Sequence, residues 1–126
     1  MLFRSEKMGK KILLPVDAVT IKDFPDPIDG PVETEVCDIT AMPADREGCD
    51  IGPKSAEMFA DAVKTAKTVV WNGPMGVFEN PTLAAGTIAV AKALAETDAT
   101  TIIGGGDSAA AVNQLGFGDK IGRAHV

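Results

Sequence analysis

Residues 100–112, Thr-Thr-Ile-Ile-Gly-Gly-Gly-Asp-Ser-Ala-Ala-Ala-Val, constrain what this chain can fold into more than any other stretch. A β-branched run, three glycines, an Asp-Ser pair and an alanine-rich tail read as a strand, a tight turn and a helix N-terminus. Residues without a Cβ let backbone N–H groups approach an anion. The first helical turn adds unpaired donors and the positive end of the helix dipole. A phosphate fits such a place. Asp107 restricts which one, because a carboxylate repels a polyphosphate unless a divalent cation such as Mg²⁺ lies between them. The plainer role for Asp107 or Ser108 is an N-cap, worth about 1 kcal/mol of helix stability.

The rest of the chain supplies partners for that unit. Residues 10–16 (Lys-Lys-Ile-Leu-Leu-Pro-Val) read as a short buried strand ending at Asp17. Residues 18–21 and 32–39 partly alternate apolar with polar and are separated by turn clusters at 23–27 and 29–31, which predicts an antiparallel excursion of two short strands. A helix is expected from Lys54 or Ser55 to about Lys67, with Met58, Phe59, Ala62, Val63 and Ala66 as its inner stripe. The run Thr68-Val69-Val70-Trp71 is the next strand, and a second helix should cover residues 81–96, with Pro81 in its first turn. Strands alternating with amphipathic helices mean parallel βαβ units, and right-handed crossovers bring the loops at 72–79 and 104–107 to one carboxyl edge of the sheet. The expected class is α/β, a three-layer Rossmann-like parallel sheet with helices on both faces and a small antiparallel insertion, forming an incomplete domain.

The loop Asn72-Gly73-Pro74-Met75-Gly76-Val77-Phe78-Glu79-Asn80 is unusual, since a turn alone needs no Met, Val and Phe. Those side chains can form a slot for a flat base, with Glu79 accepting from ribose hydroxyls. They can equally plug the end of the sheet as core.

A formal net charge of −6, with no cluster of Lys or Arg, argues against nucleic-acid and membrane-surface partners. No apolar run reaches the ~20 residues of a membrane helix, and no signal-peptide pattern is present. Cys37 and Cys49 do not form a CxxC motif; they could pair once, but free thiols of a reducing cytoplasm are the expectation. The termini have a separate reading. Residues 121–126 can be encoded by ATC GGA AGA GCA CAC GTC, which resembles a sequencing-library adapter, and the reverse complement of that oligonucleotide encodes the start of the chain. Residues 1–5 and 121–126, including His125, are therefore expected to be adapter-derived, leaving 6–120 as a partial nucleotide-binding α/β domain.

Several function classes compete. No GxxxxGK[ST] loop exists. Gly104-x-Gly106-x-x-Ala109 fits a dinucleotide GxGxxA turn, the alternative to be kept, but it would place Asp107 inside the pyrophosphate turn. A helix-rich interaction module would leave two glycine loops unexplained. A phosphotransferase suits Asp107 better, because phosphoryl transfer is mostly positioning and charge neutralisation.

Leu14-Pro15-Val16-Asp17, Asp50-Ile51-Gly52-Pro53, Trp71-Asn72-Gly73-Pro74-Met75-Gly76-Val77-Phe78-Glu79 and Ile102-Ile103-Gly104-Gly105-Gly106-Asp107-Ser108 together resemble, in order and spacing, the C-terminal, nucleotide-binding domain of the phosphoglycerate kinase family. The resemblance implies a glycolytic, cytoplasmic enzyme, monomeric when full length. It would transfer a phosphoryl group between 1,3-bisphosphoglycerate and ADP, giving ATP and 3-phosphoglycerate, with Mg²⁺. It implies that Gly48, Gly73, Met75 and Phe78 line the adenine and ribose pocket and that Glu79 binds ribose. Gly105 and Gly106 would be the catalytic glycines, offering amides to the phosphates, and Asp107 would hold Mg²⁺ through the nucleotide, beside Ser108. Arg46-Glu47-Gly48 stands where the family often has Trp-Met-Gly. The family's N-terminal domain, which carries the 3-phosphoglycerate site, its early nucleotide-domain lysines and its last glycine-rich loop have no counterpart here. The chain by itself is therefore expected to be inactive.

Overall fold

The computed structural model describes residues 2–119 and Ile121; Met1, Lys120 and residues 122–126 lie outside the described residues, and with them His125 and most of the expected adapter tail. The elements run α1 (Leu2–Lys7), β1 (Asp17–Ile21), β2 (Glu35–Asp38), β3 (Glu47–Ile51), α2 (Pro53–Thr65), β4 (Thr68–Asn72), a 3-10 turn (Pro81–Leu83), α3 (Ala85–Glu96), β5 (Thr100–Gly104) and α4 (Gly106–Gln114). The chain is an α/β structure holding a parallel pair, β4–β5, and an antiparallel sheet in the order β2-β1-β3.

Strand alternation decides the core. Trp71 of β4 and Ile103 of β5 point to one face, where they are buried with Val90, Ala91 and Leu94 of α3, Val112 of α4 and Ile121, while Phe59 and Val63 of α2 pack against the cluster. Each of the Val, Leu and Ile side chains among them contributes about 1.5–3 kcal/mol when fully buried. Val70, one residue out of phase with Trp71, is 63% exposed.

Three local expectations differ from the structure. Residues 10–16 form no strand; Pro15 has no N–H to give and Leu14 is exposed. The end of that run is used otherwise, with Val16 N–H donating to Ser55 Oγ and Val16 O accepting from Ile39 N–H. The antiparallel insertion has three strands rather than two. Glu47-Gly48-Cys49-Asp50-Ile51 has weak β-propensity, yet it pairs with β1, where a register irregularity between Val19 and Thr20 accommodates it. Finally, the helix expected over 81–96 begins as a separate 3-10 turn. Asn80, buried, accepts from Thr82 N–H and donates its amide to Ile28 O and Gly30 O, so the break in the helix also ties down the loop between β1 and β2.

Candidate nucleotide site at the sheet edge

Parallel pairing places Asn72 opposite Gly104, so the loops leaving β4 and β5 emerge side by side at one edge. Gly105, with φ +86°, turns the chain in a conformation a side chain would oppose, and α4 starts at the next residue. Its first helical bond runs from Ala109 N–H to Gly105 O. The N–H groups of Gly106, Asp107 and Ser108 therefore lie in the turn that has no helical acceptors. Gly105, Gly106 and Asp107 are exposed. Ser108 is fully buried, and its Oγ accepts from Gly73 N–H at 2.5 Å, joining the two loops.

The loop after β4 is fixed from three sides. Besides Gly73, Met75 N–H donates to Thr87 Oγ1 of α3 at 3.1 Å, and Val77 N–H donates to Cys49 O of β3 at 2.9 Å. Gly76 has no room for a side chain, since a Cβ would come within 2.5 Å of Cys49 O and 2.6 Å of Asp50 Oδ1. Between this loop and the β1–β3 sheet lies a cavity of about 420 Å³, lined by Asp17, Ala18, Gly48, Asp50, Met75 and Val77 among others.

The predicted residues thus fall into two groups. Gly48 and Met75 share the cavity. Gly73, Gly105, Gly106, Asp107 and Ser108 gather at the glycine turn. Phe78 is buried against Ala84 and Ala111, and Glu79 is exposed; neither lines the cavity.

Sequence reasoning missed the two acids beneath the site. Asp50 is buried; its Oδ2 accepts from Gly86 N–H at 2.8 Å and its Oδ1 from Ile51 N–H at 2.9 Å. Burial outweighs those bonds and pushes its carboxyl up to about 6. Asp17 accepts from Ser55 Oγ, Ser55 N–H and Lys54 N–H at the start of α2. The helix N-caps Gly52 and Ala84 make no side-chain cap bond. A helix start such as Gly52-Pro53, lacking a capping side chain, is the one signal that could have pointed to a cap supplied from elsewhere. Burial raises the Cys49 thiol to about 11, with Glu47 and Asp50 adding to the effect, so it is neutral at pH 7 and a poor nucleophile. Among the described residues no group of three His, Cys, Asp or Glu side chains is placed to hold a metal ion.

Comparison with known proteins follows the same lines. A family model described as phosphoglycerate kinase matches residues 1–126. The chain is 62% identical over 121 residues to a phosphoglycerate kinase of Clostridium novyi (strain NT) and 57% identical over 121 residues to one of Clostridium botulinum (strain Alaska E43 / Type E3), in each case covering 96% of this chain and 29% of the relative. Among solved structures, the phosphoglycerate kinase from Coxiella burnetii superposes with a TM-score of 0.90 at 30% identity, over 99% of this chain and 31% of that one. The one from Pyrococcus horikoshii OT3 gives 0.70 at 29% identity, over 98% and 31%. The chain spans about 29% of the length of the curated relatives it matches.

Proposed function

The chain belongs to the phosphoglycerate kinase family, and from that premise we propose that it is the part that binds ADP or ATP with Mg²⁺ for reversible phosphoryl transfer from 1,3-bisphosphoglycerate to ADP. The observation that carries this reading is that one loop serves both places: its Met75, Gly76 and Val77 wall a cavity, and its Gly73 bonds Ser108 of the glycine turn with its helix-start donors. The base enters beside Gly48 and Met75 with Glu79 on the ribose side, Phe78 supports the loop from behind against Ala84 and Ala111, and Gly73 links the base side to the phosphate side through Ser108. Phosphate oxygens accept from the N–H groups of Gly105 and Gly106. Ser108 contributes through its backbone N–H in the same turn, its hydroxyl being engaged by Gly73.

Asp107 is exposed in the first turn of α4, which suits a cation shared with phosphate oxygens. Mg²⁺ there would neutralise the charge shared between nucleotide and transferring group. The chain's own task is to hold the terminal oxygen of ADP in line. The phosphorus–oxygen bond to that oxygen forms as the bond to the acyl oxygen breaks, and 3-phosphoglycerate leaves as the carboxylate. The glycine N–H groups are set before reaction, so they stabilise the developing charge without reorganising. The 1,3-bisphosphoglycerate side, the phosphoryl donor, is proposed to belong to the family's N-terminal domain, and the chain alone to bind nucleotide without turnover, in a cytoplasmic, glycolytic setting. No described helix is long and apolar enough to cross a membrane.

Calorimetric titration with ADP, with and without EDTA, tests the reading. Asp107→Ala is expected to abolish the Mg²⁺ dependence, while Phe78→Ala weakens binding equally with and without Mg²⁺. An unchanged Mg²⁺ dependence in Asp107→Ala would refute the metal role.

A further inference from the structure

The loop after β4 is a template, not a lid. Its N–H groups at Gly73, Met75 and Val77 are taken by α4, α3 and β3 in turn. Pro74 has no N–H and a fixed φ, and Gly76 sits directly against Cys49 O and Asp50. Of the three anchors, Cys49 O is backbone and Ser108 and Thr87 are buried side chains; Thr87, 0% exposed in the first turn of α3, can touch no ligand. Met75 itself walls the cavity. We infer that Thr87 is a positioning residue for the base half of the site, its hydroxyl fixing Met75 through Met75 N–H, while Ser108 independently holds the phosphate half through Gly73.

This inference rests on the nucleotide reading above. It makes a demand that reading does not: the two halves of the site must respond separately. Thr87→Val keeps the side-chain shape but leaves Met75 N–H facing a methyl group. Removing one partner of a buried hydrogen bond is worth roughly tenfold in an equilibrium. The strain falls on Met75 alone, because Gly73 and Val77 keep their acceptors on other elements.

The test uses two probes on the 126-residue chain, adenosine for the base half and inorganic pyrophosphate with Mg²⁺ for the phosphate half, together with amide hydrogen exchange. Thr87→Val is expected to weaken adenosine roughly tenfold, leave Mg²⁺-pyrophosphate within about twofold, and speed exchange at Met75 roughly tenfold with Val77 unchanged. Thr87→Ser, which keeps the acceptor oxygen, is expected to restore both adenosine affinity and Met75 protection. Equal losses for the two probes, unchanged exchange at Met75, or failure of the serine variant to rescue would each overturn the role of Thr87. Those results would leave the nucleotide reading standing. A wild-type chain that binds neither probe would overturn the nucleotide reading and this inference with it.

Discussion

Two buried aspartates do the same job in two parts of this molecule, and their carboxyls are shifted in opposite directions. Asp17 of β1 caps α2, and Asp50 of β3 bonds Gly86 N–H at the start of α3. Each carboxylate occupies the space where a glycine Cβ would be, at Gly52 and at Gly86. Burial pushes both carboxyls up. At Asp17 the Ser55 hydroxyl, the Ser55 and Lys54 N–H groups and the Lys54 charge together outweigh burial and hold the carboxyl below the usual carboxylate range. At Asp50 only two backbone N–H groups oppose burial, one from its own neighbour Ile51, and burial wins. The comparison teaches that position at a helix start does not fix how a capping acid titrates; the balance of burial against donors does, and Asp50 carries the heavier burial and the fewer donors.

The largest expected effect comes from filling the glycine space. Gly52→Ala and Gly86→Ala should each displace a carboxylate from its donors, at a cost of about 3 kcal/mol or more at Gly52 and about 1–2 kcal/mol less at Gly86. The difference arises because a displaced Asp50 can take up a proton near neutral pH, whereas Asp17 stays charged. Urea unfolding at pH 7 measures both, and equal losses would break the comparison.

A smaller effect should follow Ser55→Ala. The Ser55 hydroxyl donates to Asp17 Oδ1 at 2.5 Å and accepts from Val16 and Asp17 N–H. Removing a bond to a buried charge costs about 2 kcal/mol. Asp17 should then titrate higher, as Asp50 does, which NMR titration of the side-chain carboxyl would show.

The smallest effect is the pH dependence of Asp50. Its carboxyl is pushed up to about 6 in the folded chain from an ordinary value of 3.8, so between those values the native state holds more protons and stability rises as pH falls. Between pH 7 and pH 5 the gain should be about 1 kcal/mol, present in the wild type and absent in Asp50→Asn. Asp17 works in the other direction, its contribution being lost as pH falls through its lowered value. Identical urea midpoints for the wild type at pH 7 and pH 5 would sharpen the account against Asp50.

Much of the fold was legible because it rests on short-range pattern. The β-branched run at Thr100–Gly104, the glycines after it and the alanine-rich α4 needed no knowledge of neighbours. The apolar stripe of α2 and the pairing of the two loops at one edge followed from period and handedness. Strand β3 was not legible, since Gly48 and Asp50 interrupt any alternation and the strand exists because β1 offers it an edge. Residues 10–16 show the reverse, an apolar run with the right composition and no ladder to join among the described residues.

The candidate site divides in the same way. By itself the sequence determined where the backbone turns sharply and where helix starts offer N–H groups, because glycine, proline and β-branched residues act on their own φ and ψ. Only the tertiary structure decided that Ser108 would hold Gly73, that Thr87 would hold Met75, and that the Asp17 and Asp50 carboxyls would shift in opposite directions. Those outcomes depend on donors and burial brought together from 12 to 38 residues away. Hydrogen bonding and desolvation act through space, and a chain read in order carries no record of which distant groups will meet.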